Sequence, residues 1–135
     1  MAQDVVDRSI EARGEPAVRT LAMPADTNPS GDIFGGWVLA QMDLAAGIIA
    51  ARRARGRVAT VALDGMAFHR PVNVGDVVSC YAKVTRIGRT SMTVEVETYV
   101  NRGRIGDEVK VTEGHFTMVA IDDQSRPRPV TEPGA

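Results

Sequence analysis

Residues 34–53, "FGGWVLAQMDLAAGIIAARR", place the tightest constraint on this chain. They read as its only long helix. Val38, Met42, Ala45 and Ile49 form one face at helical spacing. Trp37, Leu44 and Ile48 fall on the opposite side, so the helix is apolar nearly all round. Such a helix is a buried helix, and something must cover both of its sides. Asp32 or Gly31 is expected to cap its start. Its end, "ARRARGR", puts cations at the negative pole of the helix, with Gly56 expected in the left-handed cap.

Everything after the helix is patterned as strand. "VATVAL" (58–63), "VVSCYAKVTRI" (77–87), "SMTVEVETYV" (91–100) and "EVKVTEGHFTMVAI" (108–121) are predicted strands. Turns are predicted at 70–76, 88–90 and 101–107, and Gly114 is expected to mark a bulge. In 91–100, Met92, Val94, Val96, Thr98 and Val100 alternate with Thr93, Glu95, Glu97 and Tyr99, giving one dry face and one wet face. Ahead of the helix, "AVRTLAM" (17–23) is a further strand, stopped by Pro24. Residues 1–15 are expected to be a flexible arm, and 123–135, polar and Pro-rich, a flexible tail. Consecutive turns favour an antiparallel sheet. One sheet has one helix that is apolar on both sides. The sheet must therefore curl around the helix, or a second subunit must cover the rest. The fold class is α+β.

With 135 residues the chain fits one domain. The formal net charge of −1 gives no pull toward nucleic acid or an anionic membrane. No apolar run approaches the ~20 residues of a membrane span, and no N-terminal stretch has a signal-peptide core. A cytoplasmic location is expected. Cys80 is the only cysteine, so no intrachain disulfide can form, and it is expected to be a buried structural thiol.

The chemistry concentrates at the front of the helix. Gly35 and Gly36 lie in its first turn, although glycine costs about 1 kcal/mol there against alanine. Two together mark either close packing or the approach of a ligand to backbone N–H groups that carry partial positive charge. Such groups suit a carbonyl oxygen that becomes an oxyanion. Asp43 sits in the middle of the same helix. Leu39, Gly36, Ala46, Gly47 and Ala50 lie on its side, and four of these are small enough to leave room for a substrate. A carboxylate among apolar residues is a candidate general base. Gly35 and Asp43 are eight residues apart, about 12 Å along one helix. If both act on one bond, they must come from different protomers of a two-fold pair.

"LAMPADTNPSGDIFGGWVLAQMDLAAG", "GRVATVAL", "FHRPVNVGDVV", "RIGRTSMTVEVE" and "EGHFTMVAID" together resemble the YciA-like bacterial acyl-CoA thioesterases over about residues 17–122. The resemblance implies a hotdog fold across 16–122, a sheet wrapped around a central helix. It implies dimers, commonly three in a hexamer. It also implies hydrolysis of acyl-CoA to free acid and CoA within fatty acid metabolism, with no metal and no cofactor beyond the CoA of the substrate. Residue by residue, Asp43 of "QMD" is similar to the family's catalytic carboxylate. Asn28 of "DTN" is similar to an asparagine that works opposite that carboxylate across the dimer. Gly35 and Gly36 look like the helix start that polarises the carbonyl. Arg89, Thr90 and Ser91 of "GRTS" look like part of the CoA-binding surface. The chain departs from the family in its short tail and in "FHR", which stands where relatives often carry Ile-Lys before the proline, so that His69 is a change.

The residues agree with that chemistry. Asp43 could activate a water or attack directly to form a mixed anhydride, and the sequence leaves both open. Arg70, Arg86 and Arg89 are candidates for the phosphates of CoA. Neither His69 nor His115 is required. Two alternatives stand beside thioester hydrolysis: a hotdog hydratase or dehydratase, which would need a catalytic histidine that this helix lacks, and a non-catalytic acyl-CoA-binding module, which would not need an acid at position 43.

Overall fold

The computed structural model describes residues 13–102 and 106–130. Five antiparallel strands form one sheet: β1 (Val18–Leu21), β2 (Val58–Phe68), β3 (Val77–Ile87), β4 (Ser91–Asn101) and β5 (Glu108–Ala120), in the order β1-β3-β4-β5-β2. One helix, α1 (Gly35–Ala54), packs against the sheet and contacts all five strands. A five-stranded sheet is roughly 19 Å across, and a helix only about 10–12 Å thick. The sheet can reach α1 with every strand only by curving around it. This is the hotdog architecture that the resemblance implies.

The alternation in β4 sorts its two faces as expected. Met92, Val94, Val96, Thr98 and Val100 are buried, and Thr93, Glu95, Glu97 and Tyr99 face outward. Across the core, α1 presents Val38, Met42, Ala45, Ala46, Ala50 and Ala54, all buried. Its many alanines let the sheet approach closely, and Phe116 and Met118 of β5 fill the space that they leave. Each large apolar side chain buried here contributes about 1.5–3 kcal/mol.

The helix differs from its expectation on one side. Leu44 is 56% exposed and Ile48 36% exposed, so the sheet of this chain covers only one face of α1. The uncovered face runs beside β2, an edge strand on which Val61 (58%) and Leu63 (40%) are also exposed. A helix apolar all round thus has half of its surface open to water.

Three further expectations are corrected. β2 continues past Leu63 to Phe68, because Gly65 is absorbed within the strand as an irregularity. Gly65 takes φ +59 between the paired residues Asp64 and Ala67, and Val61 is an extra residue between Thr60 and Ala62. Gly114 is not the bulged residue of β5. It lies opposite the β2 irregularity, and a Cβ on it would stand 2.5 Å from Met66 Cε. The pairing of β5 with β4 shifts instead between Thr98 and Tyr99. The helix caps also differ. Phe34 holds the N-cap position with no side-chain bond, and Arg55, not Gly56, takes the left-handed conformation at φ 55. The Arg128 guanidinium lies against Gly56.

The polar segment after β5 is tied down as far as it is described. Arg128 Nη2 donates to Ala54 O at 2.8 Å, Val130 N donates to Arg89 O at 2.9 Å, and Val130 is buried. Residues 1–12 of the expected arm and 131–135 of the expected tail lie outside the described residues.

Candidate active site

The loop between β1 and α1 is built around Asn28. Its Oδ1 accepts from Ser30 N (2.9 Å) and Asp32 N (3.1 Å). Its backbone N donates to Asp32 O at 2.7 Å. The carboxamide oxygen is therefore spent on the loop, and the Nδ2 end is the part left to donate elsewhere. A bridge from Thr27 to Ile33 closes the loop, and Phe34 N donates to Asp26 O, so α1 starts at a defined place.

No side chain caps α1, and Trp37 N and Val38 N already donate to Phe34 O, so the N–H groups of Gly35 and Gly36 are the ones the helix start can offer. A Cβ on Gly36 would meet nothing within 4 Å, and one on Gly35 only the Phe68 ring at 3.8 Å. Close packing within the chain does not require this glycine pair. Open space lies in front of it. A cleft of about 230 Å³ adjoins, lined by Gly35, Val38, Phe68, His69, Arg70 and Val72.

Asp43 is exposed on the uncovered side of α1, which corrects the expectation that no wet side exists there. Nor is it alone. Thr60 Oγ1, on β2, donates to Asp43 Oδ1 at 2.6 Å. That bond engages one carboxylate oxygen, Oδ1, of an exposed side chain. Nothing in the sequence marks Thr60: a threonine in a strand is ordinary, and its pairing with a residue seventeen positions earlier depends on how β2 lies against α1.

The candidate phosphate ligands separate into two groups. Arg70 lies in the cleft at the start of α1. Arg86 and Ser91 line a second hollow of about 280 Å³ with Thr93 and Thr117, on the outward face of the sheet. Arg89 and Thr90 stand in the turn between β3 and β4, where both serve with backbone oxygens: Thr90 O accepts from Ala120 N, and Arg89 O from Val130 N. Within one chain these groups do not meet.

Other titratable groups are occupied. His69 Nε2 lies 2.8 Å from Glu113 Oε2. Lys110 first, then His69, hold the Glu113 carboxyl below the usual range. Burial disfavours the Lys110 ammonium, but its bonds to Glu113 and Glu97 outweigh that and raise its pKa. His115 faces Glu95 at 3.6 Å on the outer side of the sheet. Burial pushes the Cys80 thiol up to about 11, so it is a poor nucleophile. Among the described residues no three His, Cys, Asp or Glu side chains are grouped to hold a metal, and no helix is long and apolar enough to cross a membrane.

The geometry agrees with several comparisons. The family model described as "Thioesterase superfamily" matches residues 30–111. The acyl-CoA thioester hydrolase YciA of Escherichia coli K12 is 50% identical over 119 residues, which cover 86% of this chain and 90% of the relative. The hexameric thioesterase y2039 from Yersinia pestis superposes with a TM-score of 0.84 at 50% identity, covering 88% of this chain and 97% of that one. Cj0915, a hexameric hotdog fold thioesterase of Campylobacter jejuni, gives a TM-score of 0.85 at 41% identity, covering 88% and 92%. On both sequence and fold, the chain belongs to the YciA acyl-CoA thioester hydrolases, within the thioesterase superfamily.

Proposed function

We propose that this protein hydrolyses acyl-CoA thioesters, with Asp43 as the carboxylate that activates the attacking water. The observation that carries this reading is the Thr60–Asp43 bond, which presents one carboxylate oxygen on an otherwise apolar open face. Asp43 Oδ2 takes a proton from water, and the hydroxide attacks the thioester carbonyl. The oxyanion forms against the N–H groups of the Gly35–Gly36 helix start, and Asn28 Nδ2 orients the carbonyl or the water. The C–S bond then breaks, and the CoA thiolate recovers the proton from Asp43. Direct attack by Asp43 to give a mixed anhydride uses the same groups.

The site is completed by a second copy. The uncovered face of α1 and the free edge of β2 are the surfaces that a two-fold partner fits. Antiparallel pairing of β2 with itself sets the Thr60 end of one strand against the Phe68 end of the other. Asp43 then faces the partner's Gly36 and the partner's Asn28. The same operation brings Arg86, Arg89, Thr90 and Ser91 to the side of the partner's Arg70, so the two cation groups converge on one CoA. Two relatives are described as hexameric, an assembly that three such dimers would make.

His69, placed in the cleft beside Gly35, is the one observation that favours a hydratase-type reaction. The deciding assay is thiol release from a short and a long acyl-CoA. Release by the wild type that is lost in Asp43→Ala supports the mechanism. Release that survives the substitution refutes the role of Asp43. No thiol release, with hydration of an enoyl-CoA instead, supports the second reading.

A further inference from the structure

The chain is nearly neutral overall, but its charge is unevenly placed. Eight of its sixteen lysines and arginines gather where α1 ends. Arg52 and Arg53 stand in the last turn of α1, Arg55 caps it, and Arg57 follows. Arg86 and Arg89 flank the turn between β3 and β4, and Arg126 and Arg128 lie in the segment after β5. Hydrogen bonds join the helix end, the Arg89 turn and the segment after β5. Ile121 N donates to Arg57 O, Arg57 Nη1 donates to Asp122 O at 3.2 Å, Arg128 Nη2 reaches Ala54 O, and Val130 N reaches Arg89 O. Asp122 is the acid in an ion pair here, with Arg126 at 3.5 Å. Among the described residues Arg52, Arg53, Arg55, Arg86 and Arg89 are in no ion pair, and all five are exposed.

The helix dipole accounts for cations in the last turn of α1. It does not account for Arg57, Arg86, Arg89 and Arg126, which come from other parts of the chain. Nor does one CoA need so many. Its three phosphates are compact, and Arg86, Arg89 and the partner's Arg70 suffice for them. The remaining guanidiniums spread over the helix end and the C-terminal segment, the shape of a surface that meets another surface. Position adds a second argument. Arg53 is ten residues beyond Asp43, about 15 Å along α1. A phosphopantetheine arm spans such a distance.

We propose that this arginine end docks an acidic protein that carries an acyl group on a phosphopantetheine arm, and so delivers the thioester to Asp43. The inference rests on the thioesterase reading and extends its substrates from acyl-CoA to acyl groups held on a protein. Cations facing an acidic partner speed encounter and set orientation, and salt weakens both effects.

The test compares octanoyl-CoA with octanoyl groups on a purified acidic acyl carrier protein, at low and high salt. The variant is the double charge reversal Arg52→Glu/Arg53→Glu, with Arg52→Lys/Arg53→Lys as the charge-preserving control for folding. The wild type is expected to hydrolyse both substrates, with kcat/KM for the carrier substrate falling steeply as salt rises. Charge reversal is expected to lower kcat/KM for the carrier substrate tenfold or more and for octanoyl-CoA less than threefold, while the lysine variant keeps both. Equal loss on both substrates would show that the surface serves CoA alone and would overturn the proposal. So would no loss on either, or a carrier substrate left intact while octanoyl-CoA is cleaved. A wild type inactive on octanoyl-CoA would overturn the thioesterase reading and this one with it.

Discussion

Replacing Thr60 with valine isolates the role of the bond to Asp43. Valine keeps the shape and β-branching of threonine and removes only the hydroxyl. The lost bond is short, 2.6 Å, and its acceptor is a carboxylate. A hydrogen bond to a charged group contributes about 1.5–3 kcal/mol. Asp43 is exposed in the single chain, so water screens the bond and the lower end applies. At about 1.4 kcal/mol per tenfold, this predicts roughly a tenfold loss of kcat. Because Thr60 acts through Asp43 and does not hold substrate, KM should stay within about twofold. Thr60→Ser keeps the hydroxyl and should keep most of the rate. The assay is steady-state thiol release from one acyl-CoA, with Tm measured in parallel. Valine also loses the 3.4 Å contact with Met118 Sδ, so Tm separates a loss of stability from a loss of positioning. A Thr60→Val enzyme within twofold of wild type in kcat, or a serine variant as slow as the valine one, would refute the positioning role.

Other outcomes follow from the core and the outer face. Phe116→Ala removes a ring that is 2% exposed and should cost about 3–5 kcal/mol in urea unfolding. Gly65→Ala forces a side chain to φ +59 against the His115 ring and should lower Tm, with a cost of roughly 1–2 kcal/mol for the left-handed backbone. Cys80 should resist thiol reagents in the folded protein at pH 8 and react at the rate of unfolding, since its buried thiol is pushed up to about 11. Glu113 is held below the usual carboxylate range, chiefly by Lys110. Its contribution to stability is present above the ordinary glutamate pKa and lost as pH falls through the lowered value. The stability gap between wild type and Glu113→Gln should therefore be visible at pH 7 and close in acid, by thermal unfolding across pH.

Much of the fold was legible because it was written in period. The alternation of β4 predicted which residues point inward, and the apolar face of α1 predicted the helix that the sheet surrounds. Elements that rest on tertiary choice were not legible. Asp64–Gly65 looked like a strand end, but a single glycine with positive φ lets β2 run on. The segment after β5 has a disordered composition, yet Arg128 at the helix end and buried Val130 hold it. The apolar far side of α1 was visible as apolar, but not as uncovered, because a sequence does not state which chain covers a surface. For the same reason Asp43, Asn28 and the glycine pair stand out in the sequence by residue type and spacing, while Thr60 does not. It matters only through where β2 lies.

In the proposed site, Asp43 of one protomer meets the helix start and Asn28 of its partner. Mixing two inactive variants tests it. Asp43→Ala and Asn28→Ala chains, unfolded together and refolded at equal amounts, pair at random. About half of the dimers are then mixed, and each mixed dimer holds one site with both groups intact. The account predicts recovery of about one quarter of wild-type thiol release, from two preparations that are inactive alone. If mixed dimers form and no activity returns, the two residues act within one chain, and the shared site is wrong.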